Sequence, residues 1–291
     1  NIAELMRIRL EMKEFAKIPD EVPFEQYGAW LAWVGSDVPA QPLMADFVNK
    51  RYSKEGKPCR FEDIFEFERL SKAWQFEGDK LEEYDVNEPR FSGKGLLIEP
   101  ESTNLIRDSE FQFGKGASYD TVSGGNILEV AGEYKFLSAL AVLQESEDIQ
   151  KGYVFKARKS DYDNSEVYQS LHCTKDVGSF DLYGSAGGEI TKELLVPDKL
   201  YRIFFNGTAA STNNRFGLRY PTTDGIVVTA FQFELGGYTS YIRTVESPAT
   251  RLPETLTILT DSSFTIEADE GILVSGNEIT GFGHIRKIEV K

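Results

Sequence analysis

Residues 226–236, IVVTAFQFELG, have the alternating pattern of a β-strand, the element that the rest of this sequence repeats. After an apolar run, Phe231, Phe233 and Leu235 alternate with a glutamine and a glutamate. Successive side chains of a strand point to opposite faces of the sheet. We therefore predict a strand whose three apolar side chains point into the core, with the glutamine and the glutamate on its other side.

Strand-like segments of the same kind surround this stretch between residues 91 and 251. They are short and bounded by Gly, Asn, Asp or Pro, and they occur at 96–100, 126–132, 134–143, 152–160, 167–175, 179–184, 189–196, 201–207, 215–220 and 241–244. They do not alternate with helical segments, so an antiparallel sandwich is predicted rather than a parallel sheet. So many short strands in about 150 residues suit a jelly roll.

Residues 1–45 predict short helices. The apolar positions at helical spacing are Leu5, Ile8, Met12 and Phe15, followed further along by Trp30 and Trp33. Such a stripe must cover a surface, which is this chain's own core, another copy or a neighbouring protein. We interpret residues 1–45 as a docking or oligomerisation segment, in which the tryptophans pack on a partner rather than stack on a ligand.

Residues 46–90 predict a β-hairpin connector with turns at 54–57 and 78–79. Its acidic residues alternate with phenylalanines between 61 and 68, a pattern typical of a solvated strand face rather than of catalytic carboxylates. Residues 252–291 also alternate and predict three or four short strands, which are too few to fold alone.

The predicted architecture is therefore mainly β. An antiparallel jelly-roll β-sandwich over residues 91–251 is preceded by short N-terminal helices and the connector, and followed by a small β-rich C-terminal segment over 252–291.

The charge excludes several classes of function. The chain of 291 residues has 32 Lys and Arg against 47 Asp and Glu, a net charge of -15. A surface this acidic repels phosphate backbones and anionic membranes, so we expect no nucleic-acid partner. Because no apolar run approaches 18 residues, we also expect no membrane insertion.

The few cysteines and histidines limit the chemistry further. Cys59 and Cys173 are too few and too far apart for a disulfide framework. His172 and His284 are the only histidines, and the spacing of a zinc site is missing. His172 and Cys173 are neighbours on a predicted strand and point to opposite faces. We therefore predict structural histidines, no metal, no cofactor and no catalytic residues.

One polar stretch is a candidate ligand site. Residues 159–165 read as an exposed loop, and its candidate glycan contacts are Asp161, Tyr162, Asp163 and Asn164. An exposed tyrosine beside carboxylates and an amide suits a saccharide. The same oxygen-bearing side chains suit a calcium ion, although the remaining ligands of a calcium loop are missing. All three tryptophans precede residue 91, so the predicted sandwich has no tryptophan platform.

Several segments resemble one family. Residues 95–106, GLLIEPESTNLI, are similar to the GLLIEPxxTNLL signature of many bacteriophage tail-fibre and other virion proteins. Residues 231–236, 239–242 and 248–251 resemble the second signature of that family, and VNEPRF at 86–91 resembles the segment before its sandwich. GHIRKIEV at 283–290 is similar to the closing GHIRRL strand.

This resemblance implies a sandwich of carbohydrate-binding-module type in a non-enzymatic virion structural protein. Such a protein would assemble in the bacterial cytoplasm, reside in the virion, dock through its N-terminal helices onto other virion proteins and form a homo-oligomer, with a trimer favoured. The alternative is a receptor-recognition module that binds host surface polysaccharide. A polysaccharide-cleaving tailspike would need two carboxylates about 5–9.5 Å apart and commonly a repetitive β-helix, whereas this sequence has no internal repeat.

Overall fold

The computed structural model describes residues 43–77, 80–110, 226–260 and 263–290, and between them only strands from Tyr119 to Arg219. The predicted N-terminal helices, up to residue 42, lie outside the described residues. Residues 43–45, which the sequence assigns to that helical segment, instead begin the first strand. Within the described part, no helix is long and apolar enough to cross a membrane.

The described elements are strands and one short 3₁₀ helix (Phe61–Asp63). In chain order the strands are β1 (Leu43–Asp46), β2 (Arg51–Lys54), β3 (Lys57–Pro58), β4 (Phe65–Glu68), β5 (Ala73–Glu77), β6 (Lys80–Tyr84), β7 (Phe91–Ser92), β8 (Gly95–Ile98), β9 (Ser102–Asn104), β10 (Tyr119–Val122), β11 (Gly125–Tyr134), β12 (Leu137–Gln144), β13 (Gly152–Lys156), β14 (Glu166–Cys173), β15 (Asp181–Tyr183), β16 (Ser185–Ala186), β17 (Ile190–Val196), β18 (Leu200–Ala209), β19 (Arg215–Arg219), β20 (Ile226–Leu235), β21 (Ala249–Arg251), β22 (Thr255–Ile258), β23 (Phe264–Ala268), β24 (Ile272–Ser275), β25 (Glu278–Gly281) and β26 (Gly283–Val290). Every pairing among them is antiparallel. The prediction of a mainly β, antiparallel protein is confirmed.

The chain forms two compact units. Unit 1 gathers the described residues up to Arg69, then Asn87–Pro100, then those from Glu254 onward; unit 2 comprises Leu70–Val86 and Glu101–Pro253. The chain therefore passes from one unit to the other four times, after residues 69, 86, 100 and 253.

Unit 1 joins strands from both ends of the described chain. One sheet has the order β3-β2-β1-β26-β8-β7, with β23 also on β26, and a second has the order β24-β25-β22-β4. The predicted C-terminal segment supplies β22–β26, and these strands pair with β1, β4 and β8. Short strands bury too little apolar surface alone, so they share one core with the residues of the connector.

An aromatic cluster fills the core of unit 1. Phe65 lies 5.2 Å from Phe61 and 5.3 Å from Phe47 between ring centroids. Glu66 and Glu68 alternate with the buried rings of β4 and are exposed. The predicted solvated strand face is therefore confirmed for β4, whereas residues 61–63, at the start of the same predicted pattern, form the 3₁₀ helix instead. The glutamates of β4 are not gathered into a site.

Four buried charged residues of unit 1 form an ion-pair network, which we call the clasp: Arg69, Arg90, Glu99 and Glu254. Arg90 Nη2 lies 2.7 Å from both Glu99 Oε2 and Glu254 Oε1. Arg69 Nη1 lies 2.9 Å from the same Glu254 oxygen. Burial opposes the charged form of Arg90, but Glu99 and Glu254 outweigh it and raise the pKa of this guanidinium. All four members of the clasp belong to unit 1.

Unit 2 contains the strands of the predicted sandwich region from Ser102 to Arg251, whereas β7 and β8, which the sequence assigns to that region, lie in a sheet of unit 1. Its larger sheet has the order β11-β12-β20-β14-β18-β16, with β17 also on β18, and a second sheet has the order β10-β13-β19-β15. Two further pairs are β9 with β21 and the hairpin β5–β6. The predicted hairpin of the segments on either side of residues 78–79 is confirmed by the pairing of β5 with β6.

Strand β20 differs from its prediction in one respect. Phe231 and Phe233 are buried as expected, but Gln232 and Glu234 on its other face are also fully buried. Leu235, predicted to point inward, is 39% exposed, so that prediction is wrong. Gln232 and Glu234 are buried because the chain after β20 folds back over their face of the sheet, where the Ile242 amide donates to Gln232 Oε1.

Candidate functional site

The polar face of β20 continues across two neighbouring strands. Tyr168 on β14 pairs with Glu234, and Ser170 pairs with both Gln232 and Phe204 of β18. Residues directly opposite one another in a ladder share a face of the sheet. By the same register His172 and Arg202 pair and belong to this face. We call it the β14 face.

Three partly exposed rings form the candidate site on the β14 face, and we call them the surface triad. The Tyr238 ring lies 5.0 Å from Tyr168 and 5.0 Å from Phe204 between centroids, edge-to-face in both cases. The guanidinium carbon of Arg202 lies 4.6 Å from the Phe204 centroid. Ring surface beside phenolic hydroxyls combines apolar contact with hydrogen-bonding groups. Sugar rings, which have an apolar face and polar edges, match that combination.

A buried carboxylate, Glu234, pairs with Tyr168 of the surface triad in the register of β14 with β20. Glu234 accepts hydrogen bonds from Ser102 Oγ at 2.7 Å, from Gln232 Nε2 at 2.7 Å and from the Thr239 amide at 3.2 Å. The Thr239 hydroxyl also donates to Glu234. Burial raises the pKa of Glu234, and the hydrogen bonds together with the charge of Arg202 oppose that rise. A carboxylate enclosed in this way cannot reach a substrate, so we assign it a structural role.

Three further buried carboxylates are likewise held by hydrogen bonds or ion pairs. Glu110 is held by Arg243 at 2.8 Å and accepts from the Tyr241 hydroxyl at 3.3 Å. Glu99 and Glu254 belong to the clasp. In the described ranges, no group of three or more His, Cys, Asp and Glu side chains is placed to hold a metal ion.

His172 occupies a structural setting. Its ring stacks on Phe76 of the β5–β6 hairpin with centroids 4.1 Å apart and is 1% exposed. Burial and then the positive charge of Arg202 lower the pKa of His172 well below its usual value, while the backbone of Ala230 acts in the opposite sense. Neither ring nitrogen has a hydrogen bond of ordinary distance and angle within the described part of the chain. The folded protein therefore favours the neutral form of His172.

His284 lies in a surface charge network of unit 1. Its Nδ1 lies 3.2 Å from Asp269 Oδ2, and Arg286 Nη1 lies 2.6 Å from Asp269 Oδ1. The His284 amide and then the Arg286 side chain lower the pKa of Asp269 to about 2. Partial burial lowers the pKa of His284.

The thiol of Cys59 is free and partly buried, and burial raises its pKa to about 11. A thiol in this environment is a poor nucleophile, because the thiolate is the reactive form.

The sequence-predicted site residues are not tested by these observations. Asp161, Tyr162, Asp163 and Asn164 lie outside the described residues, as do the docking candidates Leu5, Ile8, Met12, Phe15, Trp30 and Trp33. The sequence did not single out the surface triad. Its members lie far apart in the chain, and only the pairing of β14 with β18 brings Tyr168 and Phe204 together.

Comparison with known proteins gives little further guidance. No family model matches the chain, and no curated protein matches it. Among solved structures, the chain is similar to the CBM22-2 xylan-binding domain of Paenibacillus barcinonensis Xyn10C at 14% identity and a TM-score of 0.31, covering 44% of this chain and 97% of that one. It is also similar to the CBM22-1–GH10 modules of Clostridium thermocellum xylanase 10B at 13% identity and a TM-score of 0.31, covering 50% of this chain and 30% of that one. These identities and TM-scores are too low to indicate what this chain does.

Proposed function

We propose that this chain is a non-catalytic carbohydrate-binding protein whose surface triad contacts a glycan. The observation that carries the proposal is the edge-to-face packing of Tyr168, Phe204 and Tyr238, partly exposed beside Arg202 on one face of a sheet. Aromatic rings that keep a polar edge in water are the usual contact for a sugar ring. In this proposal the two sheets of unit 2 stack as a jelly-roll sandwich.

The segments that resemble tail-fibre proteins support a place for this module on a virion. The glycan would then be a polysaccharide of the host surface, and residues 1–45 would dock onto other virion proteins or assemble the chain into a trimer. Light scattering on the full chain tests the assembly. A trimer that becomes a monomer in the Ile8→Glu variant supports it, and a monomer in both contradicts it.

The glycan proposal is tested by affinity electrophoresis. The full chain is run in native gels that contain dextran, galactomannan, xylan, hydroxyethylcellulose or purified bacterial O-polysaccharide, beside a gel without polysaccharide. Retardation in at least one gel, with no release of reducing ends from that polysaccharide, is the expected result. Release of reducing ends would favour the tailspike alternative, and unchanged mobility in every gel would leave a purely structural virion role.

A further inference from the structure

The surface triad depends on a short segment with an unusual backbone. Residues 236–240, Gly-Gly-Tyr-Thr-Ser, follow β20 directly, and Gly236 and Gly237 have φ of +88° and +151°. Residues with a Cβ rarely adopt such angles. The two glycines thus reverse the chain so that Tyr238 comes back over the β14 face.

Thr239, the next residue, is tied to this face through its backbone and its side chain. Its amide donates to Glu234 Oε2 at 3.2 Å, and its hydroxyl donates to Glu234 Oε1. Its carbonyl oxygen accepts from Arg202 Nη2 at 2.5 Å. The same Nη2 donates to Ser170 Oγ at 3.0 Å on the neighbouring strand.

These contacts provide partners for buried charged groups, whose burial without partners would cost free energy. Glu234 is fully buried, and a buried charge is tolerated only with a partner and with hydrogen bonds. Thr239 supplies two of the donors to that carboxylate, so the segment carrying Tyr238 and the buried carboxylate hold each other in place.

We propose that Glu234 and Arg202, acting through Thr239, are positioning residues of the surface triad. They do not contact the glycan; they keep the Tyr238 ring in a fixed position before a ligand arrives, which removes the ordering cost from binding. This inference rests on the proposed function, because a positioning role has meaning only if the triad binds a ligand.

The test uses full-length variants and two readouts. Thr239→Val removes the hydroxyl bond, Thr239→Ser restores it, and Tyr238→Ala removes the ring itself. Thr250→Val, at an exposed threonine of the same unit, is the matched control. The first readout is the affinity for the polysaccharide that retards the unaltered chain most strongly. The second is the ¹⁹F NMR resonance of Tyr238 in fluorotyrosine-labelled protein, which needs no ligand and is assigned with Tyr238→Phe.

The expected result is a five- to tenfold loss of affinity in Thr239→Val and a Tyr238 resonance that moves toward the position of free fluorotyrosine. Thr239→Ser and Thr250→Val should keep both readouts. If Thr239→Val fails to fold, Arg202→Lys, which keeps the charge and loses the planar fork, should give the same two changes.

The failures of the two proposals are distinguishable. If Tyr238→Ala binds like the unaltered chain, the proposed glycan site is wrong. If Tyr238→Ala loses binding while Thr239→Val keeps both the affinity and the Tyr238 resonance, the positioning inference is overturned. A loss of affinity in Thr239→Val with an unmoved resonance would overturn it as well.

Discussion

Arg90 and Glu254 lie 164 residues apart in sequence, yet Arg90 Nη2 donates to Glu254 Oε1 at 2.7 Å, with both side chains fully buried. Glu254 Oε2 also accepts the Glu99 amide at 2.9 Å. The clasp thus joins segments of unit 1 that are distant in sequence. Each of its members lies at or within a few residues of a point where the chain leaves or enters unit 1. A buried ion pair of this kind adds little net stability compared with apolar residues, but losing one partner leaves an uncompensated charge.

We therefore expect Glu254→Gln to lower the free energy of unfolding by about 3–5 kcal/mol. The amide keeps the shape of the side chain but leaves Arg69 and Arg90 with less negative charge in a buried site. Urea denaturation followed by circular dichroism measures the change. Glu66→Gln on the exposed face of β4 is the control and should stay within about 0.5 kcal/mol. Equal effects of the two substitutions would contradict the assigned role of the clasp.

Gly95→Ala is the second substitution that we expect to lower stability strongly. Its φ is +116°, and a Cβ at this position would lie 2.2 Å from the carbonyl oxygen of Ile285 on β26. Gly95→Ala should therefore separate β8 from β26 and cost more than about 2 kcal/mol. A Cβ added at Gly93, two residues earlier, would have no atom within 4 Å, so Gly93→Ala should change stability by less than about 1 kcal/mol. Thermal unfolding of the two variants measures this difference in stability. Similar unfolding midpoints would contradict the predicted effect of Gly95→Ala.

The buried imidazole of His172 predicts a dependence of stability on pH. Its pKa in the folded protein is lowered, first by burial and then by Arg202, so the unfolded chain binds a proton that the folded chain does not. Stability should consequently fall as the pH drops below about 6.5, by up to about 1.4 kcal/mol per pH unit for this one group.

His172→Phe, which keeps a ring against Phe76, should remove that part of the slope. The comparison is the difference in unfolding free energy between about pH 6.5 and about pH 5, measured by urea denaturation in both proteins. Contributions from other groups, such as Glu234, cancel in this difference between the two proteins. Parallel slopes would show that His172 is not buried in its neutral form.

The alternation of apolar and polar residues made much of the fold predictable. The pattern of Phe65, Phe67 and the glutamates between them predicted a strand with one solvated face, which is the arrangement observed. The turn signal at 78–79 predicted the β5–β6 hairpin. Both features depend on neighbours in sequence, which is why sequence periodicity indicates them.

What alternation could not predict is burial on both faces of β20. A polar residue on a strand usually means solvent, but Glu234 is covered by a segment held through hydrogen bonds to that same carboxylate. Asn104 is a related case, because its side chain donates to the carbonyls of Phe231 and Ile242 and accepts from the Phe233 amide. Asn104 also accepts from the amide of Ile106, two residues further along the chain. Its longer-range partners could not be derived from spacing.

The candidate site was the least predictable part. The sequence indicated an exposed loop around Tyr162 as a candidate glycan contact, on the principle that loops carry function, and this loop lies outside the described residues. The surface triad lies on strands and on a reversed segment, and it depends on the register of β14 with β18. Such a juxtaposition requires the pairing of strands whose members are distant in sequence, which no local pattern encodes.

A glycan site at the surface triad is best examined through the polysaccharide affinity of the full chain with Tyr168, Phe204 and Tyr238 each replaced by alanine. Phe282, an aromatic residue of unit 1 that is 47% exposed, supplies the matched control as Phe282→Ala. Loss of a stacking ring is worth about 0.5–1.5 kcal/mol beyond its buried area, so each triad variant should bind at least severalfold more weakly in affinity electrophoresis. Phe282→Ala should match the unaltered chain. Retardation that is the same in all four variants would contradict a glycan site at the surface triad.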